Sequence, residues 1–285
     1  MIVIIGICVV MGAVLAGFTM SGGHIGALMH PSELLTIGGA AIGAMIMMSP
    51  INVLKNLASA ILTTIKGSPY DKATYRELFK LMYDLLRIAR RDGLLMLERH
   101  VSDPHHSEVI NRYPRIAKNH HVLEFICNGL SPLVDGATPE QVSGLLDAEL
   151  KILEEEHHAP VNVLTKTADA LPGFGIVAAV LGIVITMGAI DGPVQEVGHK
   201  VGAALVGTFL GILLSYGFFG PLASRMEFMG VVELAFFRAI ASIVMGAAQS
   251  QSPKVVIEQA RRGIGTEVRP TRTEMEQLFK EVDAT

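Results

Sequence analysis

Four stretches of the chain, residues 1–20, 34–54, 170–190 and 201–224, contain no Asp, Glu, Lys, Arg or His. The hydrocarbon core of a bilayer, about 30 Å thick, is crossed by about 20 residues of helix. Each run is therefore read as a transmembrane helix, and nothing else in the sequence restricts the fold as strongly. The first run has no basic segment ahead of it and no small-residue cleavage site before Ser21, so it is expected to be a retained span rather than a signal peptide. A charged fraction of 18 %, against about 25 % in soluble domains, agrees with a membrane protein. The net charge of −4 offers no broad basic surface for nucleic acid. Cys8 and Cys127 lie in an apolar run and a charged segment, which argues against a disulfide framework and suits a reducing interior.

The basic residues set an orientation. Residues 21–33 hold no Lys or Arg and residues 191–200 hold only Lys200, while all the others lie in 55–169 or 225–285. Lys55, Lys66, Lys166 and Arg225 lie near span ends and point the same way under the positive-inside rule. The expected organisation is an all-α membrane protein. A hairpin of two spans (1–54) precedes a cytoplasmic helical insert (55–169), and a second hairpin (170–224) precedes cytoplasmic C-terminal helices (225–285), with both termini cytoplasmic. In the insert, Leu78, Leu81, Leu85 and Ile88 recur at helical spacing. The segment Thr138-Pro139-Glu140-Gln141 combines an N-cap, a Pro at the first helical position and a Gln two residues after it, predicting a helix from 138 to about 157. The end of the chain reads as a loop and a short terminal helix.

Small residues repeat four apart at Gly12/Ala16, Gly39/Gly43 and Gly207/Gly211. Such pairs let helices approach closely in a membrane, within one subunit or between subunits.

The spans as delimited contain no acid or base. Their polar groups include Thr36, Ser49, Thr186, Thr208, Ser215 and Tyr216, and hydroxyls do not hold a proton near neutral pH. If the chain helps to move protons, a partner is expected to bring the titrating group. No phosphate-binding loop and no nucleophile elbow is present, so no enzymatic activity and no cofactor is expected. The His pairs 105/106, 120/121 and 157/158 are adjacent in sequence, and neighbours on a helix diverge by about 100°, whereas chelating His pairs favour i,i+4 spacing. No metal site is expected.

Charge is densest in "RIARRDGLLMLERH" (87–100). If one helix runs through it, Arg87, Arg91 and Glu98 share a stripe with Arg90 beside it. Gly93 is the position at which one helix could end and another begin. On spacing alone this is an ordinary solvated face.

The segments "ARRDGLLMLE" (89–98), "TADALPGFGIVAAVLGIVITMGAI" (167–190) and "VGTFLGILLSYGFFGPLA" (206–223) resemble the MotA family, the A subunit of the flagellar motor stator, and the similarity covers essentially the whole chain. The resemblance implies five copies around two copies of a single-span B subunit of the MotB family, in the bacterial inner membrane. The B subunit's membrane aspartate would carry the proton. Proton flow would turn the A ring, and the insert would engage the rotor switch protein FliG. By the same match, Arg90 and Glu98 become rotor-contact charges, with Arg91 added from the stripe. Pro172 and Pro221 become joints at the cytoplasmic ends of spans three and four; otherwise Pro172 reads as a helix start and Pro221 as a bend. Thr208 and Leu205 match positions facing the ion path. Ala179 stands where sodium-driven relatives carry a Thr, so the expected ion is the proton. Two alternatives remain: an ExbB/TolQ-like energiser, which has three spans, and a non-conducting scaffold.

Overall fold

A computed structural model describes residues 2–284. All regular elements among them are helical, and four helical segments are long and apolar enough to cross a membrane: Ile2–Met20, Ile25–Met48, Pro139–Met187 and Val194–Ala248. Contacts divide the chain into two units. One comprises Met1–Gly67 and Glu156–Met229, the other Ser68–Glu155 and Gly230–Thr285. These divisions differ from the ends of the uncharged runs because helices continue past those ends.

In the first unit, α1 (Ile2–Met20) buries no residue and rests on neighbours along one side only. Next, α2 (Pro31–Met48) stops at Ser49, which Pro50 holds extended at φ −136° and ψ 136°. The run 34–54 is therefore not one span: a residue before Pro avoids the helical region, and Pro supplies no N–H to continue a ladder. A separate amphipathic helix, α3 (Ile51–Lys66), follows.

In the second unit, α4 (Lys72–Arg91) is capped by Asp71, whose side chain accepts from the Thr74 N–H. Its expected inner face is fully buried at Leu78, Leu81 and Leu85, with Ile88 at the margin. Each such Leu contributes roughly 1.5–3 kcal/mol by leaving water. After α5 (Leu94–Ser102) come the short turns α6 (Glu108–Asn111) and α7 (Pro114–Ala117), then α8 (His120–Val134).

The next helix, α9 (Pro139–Met187), begins where the sequence signature places it, with the Thr138 N–H donating to Gln141 Oε1 at 2.9 Å. It does not stop near residue 157 but continues through the third uncharged run. Thr138-Pro139 marks a start, whereas nothing between 157 and 170 terminates a helix, since Pro160 and Pro172 are both accommodated inside it. After α10 (Val194–Ile212) the chain enters a π-helical segment, Leu213–Phe219, and continues as α11 (Gly220–Ala248). The tail forms α12 (Pro253–Arg262) and α13 (Arg272–Asp283). A reciprocal capping box between Thr271 and Glu274 starts α13. The Thr271 N–H, followed by Lys72, holds the Glu274 carboxyl down to about 2.

The second unit has one core. The buried face of α4 packs with Phe236 and Phe237 of α11, Phe125 of α8, Val256 of α12 and Leu278 of α13. The first unit has two smaller clusters. Leu57, Leu164 and Met226 centre one; Ile37, Leu171 and Ala178 centre the other.

Candidate functional site

The second half of α9 meets α10 through glycines. A methyl group added at Gly211 would lie 2.7 Å from the Leu171 carbonyl oxygen and 2.8 Å from Gly175 Cα; one added at Gly182 would lie 2.7 Å from Ala204 Cβ. No Cβ fits at such distances without backbone movement. Of the two readings of the small-residue pairs, Gly207/Gly211 is packing within the subunit. Gly12, Gly39 and Gly43 differ, because an added Cβ there meets nothing within 4 Å.

This close approach brings together the residues assigned to the ion path. A Cβ at Gly175 would lie 3.3 Å from Thr208 Cα, and one at Gly207 would lie 3.3 Å from the Ala179 backbone nitrogen. Thr208 and Ala179 therefore stand on facing stretches of α10 and α9. Thr36, Thr165, Thr167 and Thr186 each spend their hydroxyl on the carbonyl four residues back, as Thr in a helix commonly does. The Thr208 hydroxyl makes no hydrogen bond among the described residues, so it remains available to a partner. Leu205, one turn earlier, is 66 % exposed.

Helices read as spans begin before their uncharged runs: α10 includes Glu196, His199 and Lys200, and α2 includes an acid that is buried. Glu33 lies in the first turn of α2, which begins at Pro31, and is only 8 % exposed. The spans therefore do carry titratable groups, against the expectation from the uncharged runs. Counting uncharged residues started the span after Glu33, whereas the helix starts before it. The signal was present in His30-Pro31-Ser32-Glu33, a Pro at the first helical position followed by an acid two residues on. Glu33 Oε2 lies 2.9 Å from the position a Cβ at Gly207 would take, so the carboxyl abuts the residue preceding Thr208.

Pro172 sits deep inside α9 and does not start a helix. Pro221 is the second residue of α11, directly after the π-helical segment, where the Gly220 N–H reaches back five residues to the Ser215 carbonyl oxygen. Pro at 221 has no N–H for the carbonyl of Gly217 and crowds it sterically. A wider turn relieves both, and such turns concentrate at functional positions.

In the second unit, α4 ends at Arg91 and Gly93 adopts φ +93°, a conformation other residues rarely take. Arg91 and Glu98 consequently lie on different helices, and the continuous stripe of Arg87, Arg91 and Glu98 does not exist. Arg87 turns inward: it donates to Asp84 Oδ1 at 3.0 Å and to the Val282 carbonyl oxygen at 2.7 Å. Arg91 clasps its neighbour Asp92 at 2.9 Å through both Nε and Nη2, which holds the Asp92 carboxyl below its usual range. Arg90 and Glu98 are exposed and form no ion pair among the described residues. Between them α5 presents Leu94, Leu95 and Met96 to solvent, Leu95 at 76 %. Arg90 also lines a cleft of about 450 Å³ with Leu86, Ala89, Leu94 and Leu97.

Several of the remaining charges and histidines have partners within their own unit. The Arg261 and Arg262 guanidiniums hold the Glu258 carboxyl down to about 2. His157 contacts the Met226 carbonyl oxygen at 3.0 Å, and His106 contacts Asp103. Among the described residues no group of three or more His, Cys, Asp or Glu is arranged to hold a metal ion. Cys127 is buried, which pushes its thiol up to about 11.

Residues 4–93 match the family described as Motility protein A N-terminal, and residues 117–229 match the MotA/TolQ/ExbB proton channel family. Motility protein A of Salmonella typhimurium is 36 % identical over 99 % of this chain and 96 % of its own length. The chain belongs to the MotA family. Motility protein A of Escherichia coli is 35 % identical over the same shares of both chains. Chemotaxis protein LafT of Vibrio parahaemolyticus is 35 % identical over 97 % of this chain and 98 % of its own. Of solved structures, the flagellar MotAB stator complex from Bacillus subtilis aligns with a TM-score of 0.73 at 25 % identity, covering 96 % of this chain and 98 % of that one. The C. jejuni MotAB structure aligns at 0.79 and 21 % identity, covering 95 % and 98 %, and supports the fold alone. The chain is thus a multi-pass membrane protein and a flagellar stator subunit of a proton-channel family. That family is not an enzyme family.

Proposed function

We propose that this chain is the A subunit of a proton-driven stator. It assembles as about five copies around two copies of a single-span B subunit in the bacterial inner membrane, with both termini and the insert in the cytoplasm. The B subunit's membrane aspartate receives the proton, Thr208 offers it a hydroxyl, and Leu205 forms a dry constriction. Ala179 supplies no oxygen ligand of the kind a sodium cage requires, which favours the proton as the transported ion. Pro172 and Pro221 pass the movement of the spans toward the cytoplasmic helices, the latter through the π-helical segment. Arg90 and Glu98 meet the rotor protein FliG, with Arg91 in a lesser part because Asp92 already neutralises it.

The observation that carries the rotor assignment is the contrast in charge pairing. Arg87 and Arg91 are committed to Asp84 and Asp92, whereas Arg90 and Glu98 stand free on either side of an exposed apolar turn. Exposed ion pairs are worth about 0–1 kcal/mol and are screened by salt. One charge crossing 100 mV releases about 2.3 kcal/mol, enough to bias the breaking of such a contact at each step.

The test reverses Glu98 to Lys and Arg90 to Glu in a motile host lacking its own A subunit. Swimming is expected to fall several-fold with unchanged membrane content of the protein, and loss of the protein from the membrane would overturn the assignment. Motility under a proton uncoupler against motility without sodium distinguishes the ion. Persistence under the uncoupler, with arrest on sodium removal, would overturn the proton.

A further inference from the structure

A carboxylate is expensive at membrane depth and is retained there for function, and Glu33 stands in the first turn of a helix long and apolar enough to cross a membrane. An acid in the first turn of a helix is ordinarily a surface group facing the positive end of the macrodipole. Glu33 is instead nine-tenths buried, and its carboxyl lies where glycine at position 207 leaves room for it. Any larger residue at 207 would occupy that room.

One histidine, His30, precedes it by three residues, and a second packs against His30. His30 immediately precedes α2 and His199 belongs to α10; their rings are 5.7 Å apart. His30 Nδ1 is shielded from solvent and makes no hydrogen bond among the described residues. Both rings line a cleft of about 690 Å³ whose walls include Phe18, Gly202, Leu205 and Phe209; Glu33 is not one of its lining residues and connects to it through His30, three residues earlier in the chain. The other charges at this end of α10, Glu196 and Lys200, pair with each other at 2.9 Å. They leave Glu33, His30 and His199 without an ion pair among the described residues; His24 and Asp191 are the other titratable groups of the two connecting segments.

We propose that Glu33 is a proton-carrying group of the A subunit itself, loaded from the non-cytoplasmic side through the His30–His199 cleft and discharging past Gly207 toward Thr208 and the partner's carboxylate. The inference rests on the channel reading above. Each transfer is a simple exchange: the Glu33 carboxylate accepts a proton from hydronium or an imidazolium, releasing water or neutral His, and surrenders it to the next acceptor, with no net chemistry. Histidine suits the entry because its charge changes near neutral pH.

The test co-expresses the chain with its B subunit and follows cytoplasmic acidification per assembled complex. Glu33→Gln preserves size and hydrogen bonding but carries no proton. It is expected to lower the flux about a hundredfold, the lower end of what a positioned proton-transfer group contributes, while Glu33→Asp restores most of it. A double His30→Gln, His199→Gln variant is expected to lose flux most strongly at neutral external pH and to recover at low pH. Unchanged flux in Glu33→Gln overturns the inference. So does failure of both Glu33→Gln and Glu33→Ala to assemble, which would make Glu33 a packing group. If the unsubstituted complex passes no protons, the channel reading itself fails and this inference falls with it.

Discussion

Arg87 donates from Nη2 to Asp84 Oδ1 at 3.0 Å, three residues apart on α4, and Asp84 is 1 % exposed. The pair is anchored from elsewhere. Arg112 approaches Asp84 Oδ2 at 3.7 Å, and Arg87 Nη1 also reaches the carbonyl of Val282 near the end of α13. The densest basic segment of the chain therefore spends one of its charges on holding the C-terminal helix against α4.

Removing one partner of a buried pair leaves the other charge without compensation, at a cost of about 3–5 kcal/mol. Asp84→Ala is accordingly expected to destabilise the second unit by about 3 kcal/mol, the lower value because Arg87 and Arg112 retain some access to water. Thermal denaturation of the detergent-solubilised protein measures this. Arg90→Ala, by comparison, is expected to shift the transition by no more than the about 0.5 kcal/mol of an ordinary surface change. Equal effects of the two substitutions would contradict the assignment of Arg87 and Asp84 as structural and Arg90 as free.

Gly211 and Gly182 mark the tightest approaches between α9 and α10, and at Gly211 the close atoms are backbone. Gly211→Ala forces the helices apart, since the added methyl meets backbone atoms on α9 that cannot rotate away. Overpacking costs typically about 1–3 kcal/mol, and displacing Thr208 from Ala179 is expected to reduce motility more than Gly39→Ala, where the added methyl meets open space within the subunit. Swimming speed at matched membrane content is the measurement. Equal impairment by the two substitutions would locate the important contact of these glycines outside the α9–α10 seam.

Pro221 is bound up with the wide turn before it. Pro221→Ala restores the N–H that the Gly217 carbonyl lacks, lets the segment Leu213–Phe219 tighten toward regular α geometry, and rotates one side of the joint against the other. Torque on a tethered bead is expected to fall with membrane content unchanged. Full torque in this variant would show that the wide turn is incidental to coupling.

Much of this architecture was legible in the linear chain because its causes are local. A helix in lipid must satisfy its own backbone groups, so apolar runs alone reveal the spans. Thr138-Pro139 and Gly93 likewise act through the conformational limits of one or two residues. The site was less legible. The end of the second span was missed because Pro50 lies within an uncharged run, and apolarity does not register a missing N–H. Glu33 was missed for the converse reason, since a charge count ends a span where the helix does not. The 87–100 segment was half-read: Gly93 signalled the break, but which arginines were free depended on Asp84, Asp92 and Val282.

By itself, the sequence determined the number of spans, the helical character of both units, the inner face of α4 and the motifs that tie the chain to its family. All of these follow from side-chain hydrophobicity and backbone sterics repeated along a short stretch. Only the tertiary structure decided that Glu33 lies against Gly207, that Thr208 keeps a free hydroxyl opposite Ala179, and that Arg87 is structural while Arg90 is exposed. Those outcomes depend on atoms from helices far apart in sequence meeting within a few ångströms, and no periodicity along one helix encodes which neighbour will arrive.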